Sequence, residues 1–322
     1  MNQNCSRNNS FDYIKGVLIV LVVLGHAISL CYGVGNPTLW YNPVFNVIYT
    51  FHMPLFVFIS GYFFTSSLKK SFVDVLVGKM KRLLIPAFLY STIILFIAAF
   101  SISGITSVYI IYKVYWYLIC VFLLSVFYYT FCKGNAYIKT VLIITYILCL
   151  IFYKHLPSCI LKDCQLIRQT LIFGLGICFK LYSSQISGKL SRYSYLAMGG
   201  GIAVVALCRF NFGFNMLYYH PVIRIVDGIV CSLLVFVLLN TLYRKLFLFT
   251  YPMNCFIWFG KYSLSIYLIH IPLYKYIQYN DIAVPNNMIT IFMSFITLLS
   301  VSVLITLLIN RIPKQYQYIF GV

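Results

Sequence analysis

Three ionisable side chains lie within one strongly apolar stretch near the N-terminus, where Asp12, Lys15 and His26 are separated mainly by aliphatic residues. At roughly 100° per residue, Lys15 and His26 lie about 20° apart around a helix and Asp12 lies about 40° from His26, so all three share one face. A rise of roughly 1.5 Å per residue separates Lys15 from His26 by about 16 Å along the axis. Ionisable groups are costly inside a membrane span and are usually kept for function.

His26 is the strongest candidate for chemistry, because imidazole can take up and return a proton near neutral pH. The alternative is a structural histidine whose nitrogens are satisfied by a neighbouring helix. Asp12 has two structural alternatives that rank ahead of direct catalysis. It lies just before the apolar run and could cap the first helix, or it could pair with Lys15 at i,i+3.

A second histidine stands where the next apolar segment begins. His52 is predicted near the outer membrane surface, where it could hold an acceptor or assist His26; the alternative is an interfacial histidine in contact with water. Pro54 is expected to kink or start this helix. Ser60 and Gly61 further along would let another helix approach closely.

The strongest cluster of basic residues is expected in a cytoplasmic loop, Gly78–Pro86, between the second and third spans. Lys79, Lys81 and Arg82 could clamp a phosphate-rich ligand there, Arg in bidentate fashion and Lys as a point charge. The alternative is that they only follow the positive-inside bias. The sequence has no phosphate-binding glycine loop, so this cluster is the candidate site for the nucleotide part of a ligand.

The composition excludes a soluble domain: of 322 residues, 62% are hydrophobic and 9% are charged. Such a chain is predicted to be an all-α, polytopic membrane bundle. The net charge of +19 comes from 24 basic residues against five acids. In a membrane protein this excess indicates loops that face anionic lipid and the cytoplasm, so no nucleic-acid partner is expected. The sequence shows no convincing metal-ligand spacing, and no metal is expected.

Hydropathy predicts about ten spans of ~20 residues in a single membrane-embedded domain, residues 1–322. The spans are expected at Ile14–Tyr32, Phe45–Thr65, Leu83–Ser103, Val114–Phe131, Tyr137–Tyr153, Leu166–Tyr182, Tyr195–Phe210, Val222–Tyr243, Met253–Ile271 and Met288–Ile309.

The basic residues predict the orientation of these spans. With the N-terminus inside, 17 of the 24 lysines and arginines fall on the cytoplasmic side and seven on the other, so both termini are predicted to be cytoplasmic. The five histidines then fall toward the outer half or the outer loops: His26, His52, His155, His220 and His270. The sequence therefore predicts a cationic inner mouth and an imidazole-bearing outer mouth. No cleavable signal peptide is expected.

Two aromatic stretches and one cysteine pair complete the candidates. Val114–Leu118 is expected to form an aromatic belt at the outer surface, with a stacking platform for sugar as the alternative. Phe259–His270 would place a lysine at the inner end of the ninth span and a histidine at its outer end. Cys159 and Cys164 lie in a short polar connection, where two thiols are the simpler expectation and a disulfide the alternative.

The order of these motifs resembles the acyltransferase 3 family of membrane enzymes. Asp-x-x-Lys-Gly at Asp12–Gly16, with ten residues between Lys15 and His26, is similar to the family's first-span signature. The same holds for Phe58–Tyr62, for Lys79–Arg82 before Leu-Leu-Ile-Pro, for Gly260–His270 and for the ten-span plan, so the resemblance covers nearly the whole chain. Phe51–Pro54 is similar to the branch that O-acetylates fucose and other sugars of bacterial surface polysaccharide.

The resemblance implies transfer of an acyl group, usually acetyl, from cytoplasmic acyl-CoA to a carbohydrate hydroxyl, often across a bacterial cytoplasmic membrane. It implies that His26 is the essential general base or a transient acyl carrier. Lys15, Lys79, Lys81 and Arg82 would then contact acetyl-CoA. Lys15 and Lys79 stand where the family commonly has arginine, which keeps the charge but loses the bidentate fork.

A transporter or flippase of a glycan or lipid-linked precursor is the main alternative, since it would also need a polar path through an apolar bundle. Such proteins usually show interrupted spans near the midplane and internal repeats, and neither is clear in this sequence. A polysaccharide polymerase or ligase would be expected to carry a large outer loop, whereas the predicted outer loops are short. An O-acyltransferase is therefore the predicted function.

Overall fold

A computed structural model describes residues 8–33, 36–100, 114–152, 165–182, 221–245, 250–280, 282 and 284–321. Within these ranges the chain is helical and has no β-strand, in agreement with the predicted all-α class. The α-helices are α1 (Asn9–Tyr32), α2 (Pro43–Phe64), α3 (Phe72–Lys79), α4 (Ile85–Ala99), α5 (Trp116–Lys133), α6 (Ala136–Ile151), α7 (Leu166–Leu181), α8 (Pro221–Lys245), α9 (Thr250–Lys261), α10 (Ser263–Tyr279), α11 (Met288–Ile309) and α12 (Lys314–Gln317). Short 3₁₀ turns lie at Pro37–Tyr41, Thr65–Lys69 and Tyr318–Phe320, and a π-helical turn lies at Met80–Leu84.

Six helical stretches in the described part of the chain are long and apolar enough to cross a membrane. They are Asn9–Tyr32, Pro43–Lys69, Phe72–Ala99, Trp116–Lys133, Ile225–Lys245 and Met288–Ile309. These overlap the first four, the eighth and the tenth predicted spans, and α6 is a shorter apolar helix. The predicted seventh span lies outside the described residues. The count of about ten and the cytoplasmic termini stay predictions.

The first two helices begin at residues that satisfy their free backbone groups. Asn8 accepts a hydrogen bond from the backbone N–H of Ser10 at 3.1 Å, so Asn8 caps α1 and the capping alternative for Asp12 is wrong. α2 begins at Pro43, where the missing N–H costs little, and it continues through Pro54. Pro54 therefore does not start this helix.

α1 is the central helix of the bundle and packs against α2, α8, α9, α10 and α11. Its fully buried side chains point in several directions around the helix axis, as at Leu18, Ile19 and Val23. A helix with buried apolar side chains all round its axis is enclosed by other helices. The chain therefore holds the candidate histidine of α1 inside a shell of protein rather than beside lipid.

Two helix pairs approach so closely that only glycine fits between them. A Cβ at Gly16 of α1 would stand 2.7 Å from the carbonyl carbon of Phe256 and 3.1 Å from the backbone nitrogen of Gly260, both on α9. A Cβ at Gly61 of α2 would likewise meet the backbone of Phe173 on α7. The predicted close approach at Gly61 is confirmed, and it follows the small-residue packing of membrane helices.

The predicted loop at Gly78–Pro86 is wrong, because the backbone stays helical from Phe72 to Ala99. A π-helical turn connects α3 to α4, and within it the N–H of Ile85 bonds to the carbonyl of Met80, five residues back. Pro86 follows directly and has no N–H to donate. The wider turn before it accommodates the proline without ending the helix.

The predicted ninth span, Met253–Ile271, is interrupted. Tyr262 has φ −106° and ψ 19°, outside the helical region, and it separates α9 from α10. α9 packs mainly on α1, whereas α10 packs on α1, α4 and α11. The two parts of this stretch therefore have different neighbours.

Candidate active site

A cavity of about 460 Å³ lies where α1, α2, α5, α7 and α10 meet. Its volume is typical of a site for a small molecule. Aromatic, imidazole and cationic side chains line it, among them His26, His52, Trp40, Trp116, Arg168 and Lys275. The structure thus places the two predicted catalytic histidines at one cavity.

His26 reaches this cavity from α1 and packs against α10. Its ring centroid lies 5.1 Å from that of His270 and 4.8 Å from that of Tyr274. Its Nδ1 is buried and has no hydrogen-bond partner among the described residues. The preceding Gly25 leaves room for the ring of Tyr49, because a Cβ there would lie 2.8 Å from the nearest ring carbon. At Nδ1, His26 is therefore not a histidine satisfied by a neighbouring helix.

His52 lies on α2 with only 4% of its surface exposed, which differs from an interfacial histidine. Its Nδ1 lies 2.6 Å from the carbonyl oxygen of Ile48, one helical turn back. A carbonyl only accepts, so Nδ1 donates and the proton resides there, leaving the lone pair on Nε2. The ring of Tyr49 packs edge-on against His52 at 4.7 Å. His52 thus has one nitrogen that can accept a hydrogen bond.

Asp12 and Lys15 do not line the cavity with His26. Lys15 Nζ lies 2.6 Å from Asp12 Oδ1, so the predicted i,i+3 pair forms. By helix geometry, Asp12 is about 21 Å along α1 from His26. Direct proton exchange between Asp12 and His26 is therefore excluded in this arrangement, and Asp12 contacts Lys15 instead.

Lys79, Lys81 and Arg82 lie together at the end of α3 and on the π-helical turn, and none of them lines the cavity. Lys81 and Arg82 are exposed, whereas Lys79 is half-buried with its ammonium 5.8 Å from the ring centroid of Phe64. The turn therefore presents cations in a helical rather than a loop geometry.

The basic residues and the histidines lie at opposite ends of α1. The rings of Phe11 and Tyr62 are 4.4 Å apart, so the N-terminal end of α1 lies beside the C-terminal end of α2. Lys15 on α1 and Lys79 near the end of α2 are consequently at the same end, away from the cavity. Which end faces the cytoplasm stays a prediction.

The aromatic stretch Val114–Leu118 is not a lipid-facing belt. Tyr115 is fully buried, and its hydroxyl donates a hydrogen bond to the carbonyl of Leu268 at 3.0 Å. A buried phenol hydroxyl usually needs such a partner. Trp116 lines the cavity. Tyr117 lies within hydrogen-bond distance of Ser60, at 3.2 Å, on the side of the bundle interior. The position of Trp116 is compatible with the stacking alternative.

Three residues of the site were not predicted to act in it: His270, Tyr274 and Arg168. His270 has no exposed surface, and its Nδ1 lies 2.8 Å from the carbonyl of Ile266. The hydroxyl of Tyr274 lies 3.3 Å from Ser29 Oγ on α1. The motif ending at His270 was the available signal, but sequence spacing does not show which helices pack together.

Several predicted features lie outside the described residues: His155, His220, and the possible disulfide between Cys159 and Cys164. In the described ranges, no group of three or more His, Cys, Asp or Glu side chains could hold a metal ion.

Comparisons with known proteins give the family. The model of acyltransferase 3 proteins, described as an acyltransferase domain, matches residues 8–311. Nodulation protein NolL of Sinorhizobium fredii (strain NBRC 101917 / NGR234) is 30% identical over 233 residues, which are 69% of this chain and 62% of that protein. Nodulation protein NolL of Mesorhizobium japonicum (strain LMG 29417 / CECT 9101 / MAFF 303099) is 41% identical over 90 residues, 28% of this chain and 24% of that protein. The chain thus matches less than two thirds of the length of either relative.

No solved structure shows significant similarity to the chain. The family match nevertheless spans nearly every described helix, including those that carry His26, His52 and His270. This family match and the six helices able to cross a bilayer together determine the family of the protein. The chain belongs to the acyltransferase 3 family of integral membrane proteins.

Proposed function

We propose that this protein is an O-acyltransferase that moves an acetyl group from acetyl-CoA to a hydroxyl of a cell-surface or lipid-linked carbohydrate. The observation that carries the proposal is the meeting of His26 and His52, from two different helices, at one aromatic-walled cavity. The family supplies the reaction class. The proposed location is a bacterial cytoplasmic membrane, with the cavity toward the outer side.

His26 is the proposed general base. It takes the proton of the acceptor hydroxyl while the hydroxyl oxygen bonds to the thioester carbonyl carbon, and the C–S bond then breaks. The departing thiolate of CoA takes up the proton from the imidazolium, which restores His26. As an alternative, His26 first accepts the acetyl group on a ring nitrogen and then passes it to the hydroxyl. Both routes need an unprotonated nitrogen that faces the cavity.

The cations at the opposite end of α1 are the proposed binding site for the phosphates of CoA. Lys79, Lys81 and Arg82 lie within one helical turn, and two of the three are exposed. Phosphate binding by such groups is charge-assisted. Lys15 adds a fourth positive group and is held in place by Asp12. Asp12 therefore acts as a positioning residue for Lys15.

Between the two ends of α1, tyrosines face the interior of the bundle rather than lipid. Tyr117 meets Ser60 at 3.2 Å, and its ring lies 5.9 Å from that of Tyr267, whose own ring is 5.9 Å from His270. This series leads from α5 to the histidines. It is the proposed route of the pantetheine arm, with Trp116 as a flat surface for the acceptor sugar at the cavity.

Surface glycan from cells with and without the gene tests the proposal by mass spectrometry before and after mild alkali. We expect a base-labile acetyl increment that requires the gene, and its loss with His26→Gln. Val20→Ala, a half-buried position on the same helix, is the control and should keep the increment. An unchanged glycan despite stable wild-type protein would refute the proposal. A flippase would alter glycan export without forming an ester.

The purified protein separates the two roles of His26. Incubation with radiolabelled acetyl-CoA and no acceptor should leave the protein unlabelled if His26 is a general base. Stoichiometric label that requires His26 and is released by acceptor would establish the acyl-histidine route instead.

A further inference from the structure

Two buried ring nitrogens beside the cavity lack hydrogen-bond partners: Nδ1 of His26 and Nε2 of His270. Buried polar atoms are nearly always paired, so such orphans require an explanation. The rings that carry them are neighbours, with centroids 5.1 Å apart and planes inclined by 49°. The two orphans therefore lie on adjacent side chains.

The backbone determines which nitrogen of His270 carries the proton. Nδ1 lies 2.8 Å from the carbonyl oxygen of Ile266, and a carbonyl cannot donate, so Nδ1 is the donor. In the neutral ring Nε2 then carries the lone pair. His270 accordingly presents an acceptor, fixed by its own helix, inside the protein.

The other ring next to His26 does not serve this purpose. The hydroxyl of Tyr274 lies within hydrogen-bond distance of Ser29 Oγ, at 3.3 Å. Nδ1 of His52 already donates a hydrogen bond to the carbonyl of Ile48. His52 also keeps a lone pair on Nε2, but His270 is the histidine whose ring packs against that of His26, at 5.1 Å, and whose buried Nε2 has no partner among the described residues.

We propose that His270 is a positioning residue: one water molecule accepts a hydrogen bond from Nδ1–H of His26 and donates one to Nε2 of His270. This contact holds His26 in the tautomer with its lone pair on Nε2, the nitrogen left for the acceptor hydroxyl. Donation of a hydrogen bond from one imidazole N–H raises the basicity of the other nitrogen. The inference rests on the proposed function of His26 as a base or carrier.

Two substitutions at His270 separate this role from packing. His270→Gln keeps an acceptor oxygen near the position of Nε2, whereas His270→Leu fills the space without an acceptor. We expect kcat to fall about 10- to 100-fold with Leu and to stay within about fivefold of wild type with Gln, with the KM for acetyl-CoA unchanged. Ile269→Leu, a volume-conserving change at the preceding buried residue, is the packing control.

A second readout does not require acyl transfer. Diethyl pyrocarbonate modifies unprotonated imidazole, and the rate of modification of the His26 peptide can be followed by mass spectrometry. We expect this rate to fall severalfold with His270→Leu and to be retained with His270→Gln. If His270→Leu is not recovered as a folded protein, His270→Met takes its place.

The outcomes distinguish the two proposals. Equal effects of Gln and Leu, or no effect of either, on kcat and on His26 modification would overturn the role of His270. If wild-type protein transfers no acetyl group, the proposed function fails, and the modification rate still decides whether His270 controls His26.

Discussion

Gly16→Ala is expected to loosen the packing between α1 and α9. The added Cβ would stand 2.7 Å from the carbonyl carbon of Phe256 and 3.1 Å from the backbone nitrogen of Gly260. The carbonyl oxygen of Phe256 lies closer still. Ordinary carbon contacts are about 3.5–4.0 Å, so the two backbones must separate by more than about 1 Å. Backbone atoms cannot rotate away as a flexible side chain can.

The cost of overpacking of this kind is about 1–3 kcal/mol, and the backbone clash places Gly16→Ala at the upper end. At roughly 2 °C per kcal/mol for a chain of this size, the apparent melting temperature should fall by about 5 °C. The measurement is the fraction of detergent-solubilised protein that stays monodisperse after heating.

Gly78→Ala is the matched control, because nothing lies within 4 Å of a Cβ at that position. Alanine at an open helical site should leave stability unchanged or raise it by about 0.5–1 kcal/mol. Combining Gly16→Ala with Gly260→Ala should cost less than the sum of the two, since one separation relieves both clashes. Equal stability of Gly16→Ala and Gly78→Ala would refute the close packing of α1 on α9.

Two further predictions concern charge and substrate binding. Lys15→Met should lower stability by about 1–3 kcal/mol, because the buried carboxylate of Asp12 loses its lysine. Adding Asp12→Asn should restore part of the lost stability in the same heating assay. No restoration would contradict the ion pair. In initial-rate measurements, Arg82→Ala should raise the KM for acetyl-CoA about tenfold. Trp116→Ala should raise the KM for the acceptor. The control Lys133→Ala, at an exposed position, should change neither constant. A rise in acceptor KM from Arg82→Ala would contradict the assignment.

The sequence predicted well those features that depend on local pattern. The first span, its i,i+3 ion pair and the close approach at Gly61 all follow from composition and spacing over a few turns. The break at Tyr262 was missed because apolar residues continue on both sides of it. The π-helical turn before Pro86 was missed because a proline after a basic cluster is equally typical of a loop.

The site itself depends on tertiary packing. His26 and His270 are far apart in the chain, and their contact arises from the placement of α10 against α1. Tyr115 looked suited to a membrane surface because tyrosine is common there. Its hydroxyl instead reaches the carbonyl of Leu268, a partner that no local pattern indicates.

The enclosure of α1 has a consequence for how this protein can diverge. Val23 on α1 has no exposed surface, whereas Leu304 and Leu308 on α11 are each 60% exposed. Lipid chains adapt to any apolar side chain of α11, but the neighbours of Val23 form a close-packed solid that does not. Homologous sequences should therefore exchange apolar residues freely along α11, whereas residues of α1 should change only together with the residues that they contact. Covariation between positions, rather than hydropathy, should then identify α1 as the enclosed helix.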